Sequence, residues 1–320
     1  DIEGVYDFIK EVVDAKIDAF IVSDPFLINY IKSNYDVEVH LSTQGSTTNK
    51  EAVKFWKNEK VDRVVLGREV SIKEIKEITD YVDTDIEVFI HGAMCTFYSG
   101  RCCLSNYFTN RDSNRGGCAQ ICRFAFDIDN MDTKFTMATK DLNMANHIKD
   151  LIEANVKSLK VEGRMRSQYY LATVISSYRK IIDNYYNNTL TDEVIKHEEK
   201  ILSRVANRDT STHYYLKKAD YNDQYYTGRQ ELSNQDFLGL ITNYDKESKI
   251  ITLSQRNYFK DNDEVEIFTP KGDIFKITID KVYDENMNHI EVARHPEEII
   301  KIQLKEDLDI LPNSMMRVRI

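Results

Sequence analysis

This 320-residue chain lacks three sequence features, and each absence limits the classes of protein to which we assign it. No run of about eighteen apolar residues occurs, so we expect no membrane-spanning helix and no membrane partner. Neither a G-x-S-x-G nor an H-E-x-x-H pattern is present, which removes two sequence signals of hydrolases and zinc proteases. No signal peptide is recognisable, and because the chain begins with Asp1 instead of Met, we expect that a natural N-terminus is missing.

Cysteine is also absent from most of the chain, since all five thiols fall between Cys95 and Cys122. Their spacing is C-x6-C(C)-x14-C-x3-C, with Cys103 in parentheses, so four sulfurs converge only if the intervening loop folds back on itself. Glycines at 100, 116 and 117 permit such a loop because glycine can adopt positive φ angles. The neighbouring side chains of Cys102 and Cys103 diverge, so we expect only one of these two to be a ligand.

Four interpretations of these thiols stay open at the level of spacing. Disulfides suit a small secreted domain and are disfavoured here, because a large chain has no other cysteine framework. Structural zinc sites usually contain C-x2-C pairs, which this sequence lacks. Buried, inert cysteines are the third interpretation. Four thiolates on glycine-rich loops favour an iron–sulfur cluster, with zinc as the alternative occupant, and clustered reduced thiols predict a cytoplasmic location.

Apolar runs alternate with helical patterns through the first half of the chain, which predicts parallel βα units. The predicted strands cover 19–25, 38–44, 63–69, 86–92, 135–142 and 158–163. We therefore predict an α/β, TIM-barrel-like catalytic domain over 1–206, with a cysteine-rich insertion at 93–134. The strands number fewer than eight and the chain opens on a helix, so we expect an incomplete barrel that a second copy or another chain completes.

The pattern changes in the last third of the chain. Residues 207–235 are polar and tyrosine-rich, which predicts a linker. From residue 236 to 320, short alternating runs joined by turns such as DKESK and PKGD predict a small antiparallel β-barrel domain.

Polar residues follow several predicted strands, at the edge where barrel active sites form. We predict four catalytic residues at these strand ends: Asp24, His40, His91 and Glu162. Arginine forks suit a dianionic small molecule and aromatic rings suit a flipped base. The predicted substrate-binding residues are Arg68, Tyr98, Arg101, Arg111, Arg115, Lys160, Arg164, Arg166 and Tyr169. The alternative is a structural ion-pair network around Glu162 and Asp112, with the tyrosines that follow residue 168 serving only for packing.

The formal charge of −10 argues against a surface that binds nucleic acid throughout. Between His91 and Arg166, however, eleven Lys and Arg residues stand against eight Asp and Glu, a net of +3 that leaves −13 for the remainder. Such a local basic site can hold one RNA position through phosphate contacts. An ordinary solvated mixture of charges explains the same counts.

Three motifs carry a resemblance that extends over nearly the whole chain: HGAMC-x2-YSGRC-x-LSNY from His91, NRD-x-NRGGCAQ-x-CR from Asn110, and SLKVEGRMRS-x-YY from Ser158. They closely resemble peptidase family U32, the collagenase-like protease group. The chain departs from the family pattern at Cys103, where an aliphatic residue is usual, and at Asp209, where a glycine-containing turn is usual.

The resemblance implies an RNA hydroxylase, because several members of the family look like RNA hydroxylases rather than peptidases. They include proteins that convert the tRNA wobble uridine to 5-hydroxyuridine with prephenate, a small dianionic donor. It also implies that Cys95, Cys102, Cys118 and Cys122 are the ligands of a [4Fe–4S] cluster, and that the barrel of relatives begins with further strands. The alternative is a peptidase with a structural metal site, in which Cys103 and His91 form the nucleophile pair.

Overall fold

The computed structural model describes residues 3–130, 132–205, 208–225 and 236–319. Tertiary contacts divide these residues into two compact units. The first comprises the described residues up to 164 together with 208–225, and the second comprises 165–205 together with 236–319. The predicted domain boundary at residue 206 differs from this division, because the two helices before it group with the C-terminal strands.

The first unit has an alternating order of helices and strands. Its helices are α1 (Val5–Asp14), α2 (Pro25–Asn34), α3 (Lys50–Asn58), α4 (Ile72–Tyr81), α5 (Leu104–Thr109) and α6 (Ile148–Glu153). Its strands are β1 (Ala19–Val22), β2 (Glu38–Leu41), β3 (Arg63–Val65), β4 (Asp85–Gly92), β5 (Asp141–Asn143), β6 (Ser158–Glu162) and β7 (Thr210–Ser211).

Local capping explains where α4 begins. The Ser71 side chain accepts a hydrogen bond from the Glu74 backbone, and the Glu74 carboxylate accepts one from the Ser71 backbone N–H. This reciprocal arrangement satisfies two otherwise unpaired N–H groups of the first turn. The buried face of the helix, with Ile75 and Ile78, then packs into the core.

The sheet of the first unit is mixed. Strands β1 to β4 pair in parallel and in chain order, and β6 is parallel to β4, which confirms the predicted βα units. Strand β5 pairs antiparallel with β4, because the chain returns from the cysteine-rich insertion in the opposite direction. Among the described residues no pairing joins β1 to β6 or β7, so a closed barrel is not confirmed.

Part of the predicted linker is folded into the first unit. Strand β7 pairs in parallel with β5, and His213, Tyr215 and Tyr225 are buried. The Tyr215 hydroxyl donates a hydrogen bond to the carbonyl of Phe89 at 2.5 Å. Tyrosine rings bury a large apolar area while their hydroxyls still bond, so the polar composition of 208–225 was a poor guide to its exposure. The rest of the predicted linker lies outside the described residues.

The second unit combines two helices with antiparallel strands. The helices are α7 (Gln168–Tyr186) and α8 (Asp192–Val205). The strands are β8 (Phe237–Asp245), β9 (Ile250–Gln255), β10 (Phe259–Lys260), β11 (Glu264–Phe268), β12 (Ile274–Thr278), β13 (Val282–Tyr283), β14 (His289–Ile290), β15 (Val292–Ala293), β16 (Ile299–Gln303) and β17 (Met315–Val318). Eight of them form one sheet in the order β12-β11-β17-β8-β9-β16-β13-β14.

This C-terminal sheet confirms the predicted antiparallel architecture. Its apolar core includes Ile241, Leu253, Phe259, Ile300 and Met316, all fully buried. Within the part of the unit that the structure describes, the end strands β12 and β14 do not pair, so the sheet is not shown to close. None of the helices in the described ranges of either unit is long and apolar enough to cross a membrane.

Candidate active site around the cysteine-rich insertion

Two neighbouring strand ends create the candidate site. Strand β4 ends at Gly92, which has a φ of +104° and lies beside Glu162 at the end of β6. A Cβ atom on Gly92 would lie 2.3 Å from the carbonyl oxygen of Glu162, so only glycine allows this approach. Cys95 follows Gly92 by three residues, and the cysteine-rich insertion therefore starts next to the Glu162 carboxylate.

Arg68 joins the first thiol to this carboxylate. Its Nη1 donates to Cys95 Sγ at 3.5 Å, and its Nη2 lies 3.5 Å from Glu162 Oε2. The guanidinium also lies over the ring of Phe89, 4.0 Å from the centroid. The side chain is largely buried, so its charge acts in a setting that water screens weakly.

Glu162 and Arg164 connect the strand end to the far side of the insertion. Glu162 Oε1 accepts a hydrogen bond from the backbone N–H of Arg164 at 3.0 Å. The Arg164 side chain donates from Nη2 to the carbonyl of Gly116 at 3.1 Å. Gly116 precedes Cys118 by two residues. The end of β6 therefore contacts the start of the insertion through Gly92, and the segment before Cys118 through Arg164.

The thiol of Cys122 is influenced by three of the other cysteines. Its pKa is raised to about 11, mainly by burial; Arg123 opposes the shift, and the thiols of Cys95, Cys118 and Cys102 contribute to it. The three thiols therefore lie within electrostatic range of Cys122. Together with Cys122, they are the four cysteines that the family resemblance implies as ligands.

The chemistry of this donor set fits a group held by thiolates. Cys118 Sγ accepts from the backbone N–H of Gln120 at 3.4 Å, and Cys95 Sγ accepts from Arg68. Donors of this kind stabilise bound thiolates. Across the residues that the structure describes, no three His, Cys, Asp or Glu side chains are already arranged at metal-binding distances. The metal assignment therefore stays a prediction.

Hydrogen bonds hold the loop between the thiols in a folded conformation. The carbonyl of Cys102 accepts from Ser113 Oγ and from Asn114 Nδ2, both at 2.9 Å. The buried hydroxyl of Ser105 accepts from the backbone N–H of Ala119 at 2.9 Å. These bonds join the segment around Cys102 to the segment around Cys118, as the spacing of the cysteines requires.

Two of the predicted catalytic residues have structural partners outside this cluster. Asp24 is the N-cap of α2, and its Oδ1 accepts from the backbone N–H of Leu27 at 3.0 Å. His40 lies on β2, with Nε2 2.9 Å from the Glu38 carboxylate. Neither contact involves the thiols or Glu162, so the structure gives no support to a catalytic role for Asp24 or His40.

Lys160 and His91 lie within the sheet. Lys160 Nζ donates to Glu87 Oε1 at 2.9 Å, and Ser158 Oγ donates to Glu87 Oε2 at 2.8 Å. Burial raises the pKa of the Glu87 carboxyl, but these hydrogen bonds outweigh burial and the net shift is downward. Lys160 therefore neutralises a buried carboxylate instead of binding a substrate. His91 is buried in β4.

Three arginines of the insertion face solvent. Arg101, Arg111 and Arg115 are exposed, and Tyr98 is half-exposed. Arg115 lies 3.5 Å from Asp112, which agrees with the alternative of a local ion-pair network. Arg101 and Arg111 thus stay candidates for binding an anionic substrate.

Two predicted substrate residues belong to the second unit, where the structure describes packing contacts. The ring of Tyr169 is buried and stacks on Phe237 with a centroid distance of 4.7 Å and an interplanar angle of 4°. The guanidinium of Arg166 lies 4.8 Å from the centroid of the Tyr170 ring. One face of the Tyr169 ring is covered, so the packing interpretation replaces the expected stacking on a base.

Sequence reasoning missed a buried ion-pair network beside Cys122. Asp141, at the start of β5, lies 3.1 Å from Arg208 and 3.8 Å from Arg123. All three charged groups are at least about nine-tenths buried. The position of Arg123 directly after Cys122 was the available signal. The network around the shared partner Asp141 could not be found from sequence, because its second arginine, Arg208, lies in the segment predicted as a linker.

Comparisons with known proteins identify the family of the chain. The model of Peptidase family U32 matches residues 1–225, and that of the Peptidase family U32 C-terminal domain matches 233–317. The "tRNA hydroxylation protein P1" of Bacillus subtilis is 44% identical over 98% of this chain and 77% of its own length. The "tRNA hydroxylation protein P" of Haemophilus influenzae is 30% identical over 97% of this chain and 80% of its own.

A relative with a different name covers about two thirds of the chain. The "Collagenase" of Porphyromonas gingivalis is 35% identical over 65% of this chain and 55% of its own length. The family model covers more than half of the chain, and the Bacillus relative covers nearly all of it. The chain therefore belongs to peptidase family U32.

Proposed function

We propose that this protein is an RNA-modifying enzyme that hydroxylates a base in tRNA. The observation that carries the proposal is the folded cysteine-rich insertion, in which hydrogen bonds join the segments of Cys102 and Cys118 and the Cys95 thiol contacts Arg68 of the Arg68–Glu162 pair. Relatives that match nearly the whole chain are named tRNA hydroxylation proteins, which supports the same substrate class. The finer proposal is conversion of the wobble uridine to 5-hydroxyuridine.

The four converging cysteines would hold a [4Fe–4S] cluster, which supplies one-electron transfer when bound. Zinc bound by the same thiolates would have only a structural role. Cys103 stands where the family usually has an aliphatic residue, so the resemblance implies no ligand role for it. It is therefore the spare thiol, and it provides a matched control for each ligand.

The proposed roles of the other residues follow from their contacts. Glu162 is the predicted catalytic carboxylate that shares Arg68 with the Cys95 thiol, so we assign it proton transfer. Arg68 orients Glu162 and Cys95. The exposed guanidinium group of Arg164, two residues after Glu162, would bind a small dianionic donor such as prephenate by a carboxylate.

The test uses protein purified without oxygen, with Cys118→Ser and Cys103→Ser compared side by side. We expect about four iron and four sulfide per chain in the wild type and in Cys103→Ser, and a large loss of both in Cys118→Ser. tRNA that lacks the modification is then incubated with protein, a reductant and prephenate, and its nucleosides are measured by mass spectrometry. 5-Hydroxyuridine should form with the first two proteins only.

The opposite result has a clear meaning. Zinc without iron, even after reconstitution, together with unmodified tRNA, would contradict the proposal. Cleavage of a collagen peptide by both the wild type and Cys118→Ser would then favour a peptidase with a structural metal site. The name of the Porphyromonas relative supports that alternative.

A further inference from the structure

The surface of the cysteine-rich insertion carries an exposed pair of aromatic side chains on α5. Tyr107 is 83% exposed and Phe108 is 51% exposed. Their rings contact edge to face, with centroids 5.1 Å apart and an interplanar angle of 84°. Adjacent large rings left in water on one short helix are typical of a binding surface.

This pair has a fixed position relative to the thiols. On the buried side of α5, Ser105 is bonded to the backbone N–H of Ala119, the residue after Cys118. The Phe108 ring also lies against Phe126, with centroids 5.7 Å apart. The two exposed rings are therefore held by the same loop that brings the cysteines together. Little conformational freedom would be lost when a partner binds them.

The positive charge near Tyr107 and Phe108 indicates which class of partner would bind the two rings. Residues 101–124 contain four arginines and one aspartate, a net of +3 in a chain whose total is −10. Arg101 and Arg111 flank α5 and are exposed. Aromatic rings interleaved with arginines bind single-stranded nucleic acid, because bases stack on the rings while phosphates meet the cations. An uncharged, apolar partner would not account for the exposed arginines beside the rings.

We propose that Tyr107, supported by Phe108, stacks on an unpaired base of the RNA substrate, while Arg101 and Arg111 contact the adjacent phosphates. The inference rests on the proposed function and adds to it: the enzyme recognises a single-stranded loop through a ring on its cysteine-rich insertion. The stacked base is distinct from the base that reacts.

The test measures binding of a labelled tRNA anticodon stem-loop by fluorescence anisotropy to wild type, Tyr107→Ala and Tyr107→Trp, all purified without oxygen. Loss of one stacked base weakens binding, so the Kd of Tyr107→Ala should rise about 5- to 100-fold, while Tyr107→Trp should stay near the wild type. The dependence of Kd on salt should not change in Tyr107→Ala. It should become shallower in Arg101→Gln/Arg111→Gln, because fewer phosphates are contacted.

Tyr186→Ala is the matched control. Tyr186 is 66% exposed, and it contacts Tyr185 edge to face with centroids 5.4 Å apart and an angle of 82°. The segment 183–193 around it contains three acidic residues and no Lys or Arg. A ring of similar exposure in a segment without Lys or Arg should contribute nothing to RNA binding. The Kd of Tyr186→Ala should therefore match that of the wild type.

The outcomes separate this inference from the proposed function. If the wild type binds and modifies tRNA and Tyr107→Ala binds equally well, the inference is overturned and the proposed function stands. If Tyr107→Ala loses iron along with affinity, Tyr107 has a structural role and the inference is overturned as well. If the wild type neither binds nor modifies RNA, the proposed function fails and the stacking inference fails with it.

Discussion

Gly92→Ala tests the close approach of β4 and β6 on which the candidate site depends. The wild-type residue has a φ of +104°, which costs alanine about 1–2 kcal/mol. The added Cβ would also lie 2.3 Å from the Glu162 carbonyl oxygen, well inside contact distance. Overpacking of this kind costs about 1–3 kcal/mol. The free energy of unfolding of the first unit should therefore fall by about 2–5 kcal/mol.

Gly116→Ala separates the two contributions. Gly116 has a φ of +81°, but a Cβ added there would meet nothing within 4 Å. This variant should lose only the conformational part, about 1–2 kcal/mol. Because Gly116 and Gly92 both belong to the first unit, the same measurement applies to both variants.

The measurement is urea-induced unfolding followed by tryptophan fluorescence. Trp56 is the single tryptophan of the chain and lies in α3, so its signal reports the first unit. A specific probe is needed because two units need not unfold in one two-state transition. If Gly92→Ala loses no more stability than Gly116→Ala, the steric argument is refuted and β4 and β6 do not require glycine at this point.

Two further variants test buried charge. In the second unit, Nε and Nη2 of Arg317 donate to the buried Glu266 carboxylate at 3.1 and 3.0 Å. Arg317→Met should therefore destabilise that unit by about 3–5 kcal/mol, measured by thermal unfolding followed by circular dichroism. The double variant Arg317→Met/Glu266→Met should recover much of this loss of stability. In the first unit, burial lowers the pKa of His213, despite its hydrogen bond to the Lys140 carbonyl. As the pH decreases below about 6.5, the imidazole of His213 is therefore protonated in the unfolded chain before it is protonated in the folded chain. The free energy of unfolding then decreases as the pH decreases. His213→Gln should show a smaller loss of stability between pH 7 and 5 by Trp56 fluorescence, and an equal loss would contradict the assignment.

Local sequence patterns determined much of the architecture. The S-x-x-E pattern at Ser71 and Glu74 marks the start of α4, because a capping box needs only residues of one turn. Alternating apolar residues after position 236 predicted antiparallel strands, since the two faces of a strand follow directly from its period. The spacing of the cysteines likewise predicted a loop that returns on itself.

Partners across the sheet were decided only by the tertiary structure. The sequence places Lys160 and Glu162 on one side of a strand, but it does not show that Glu87 neutralises Lys160 while Arg68 lies beside Glu162. The same holds for Tyr169, whose ring is covered by Phe237. A side chain's role depends on which charge or ring lies within a few ångströms, and that distance is set by strand register and packing between residues far apart in the chain.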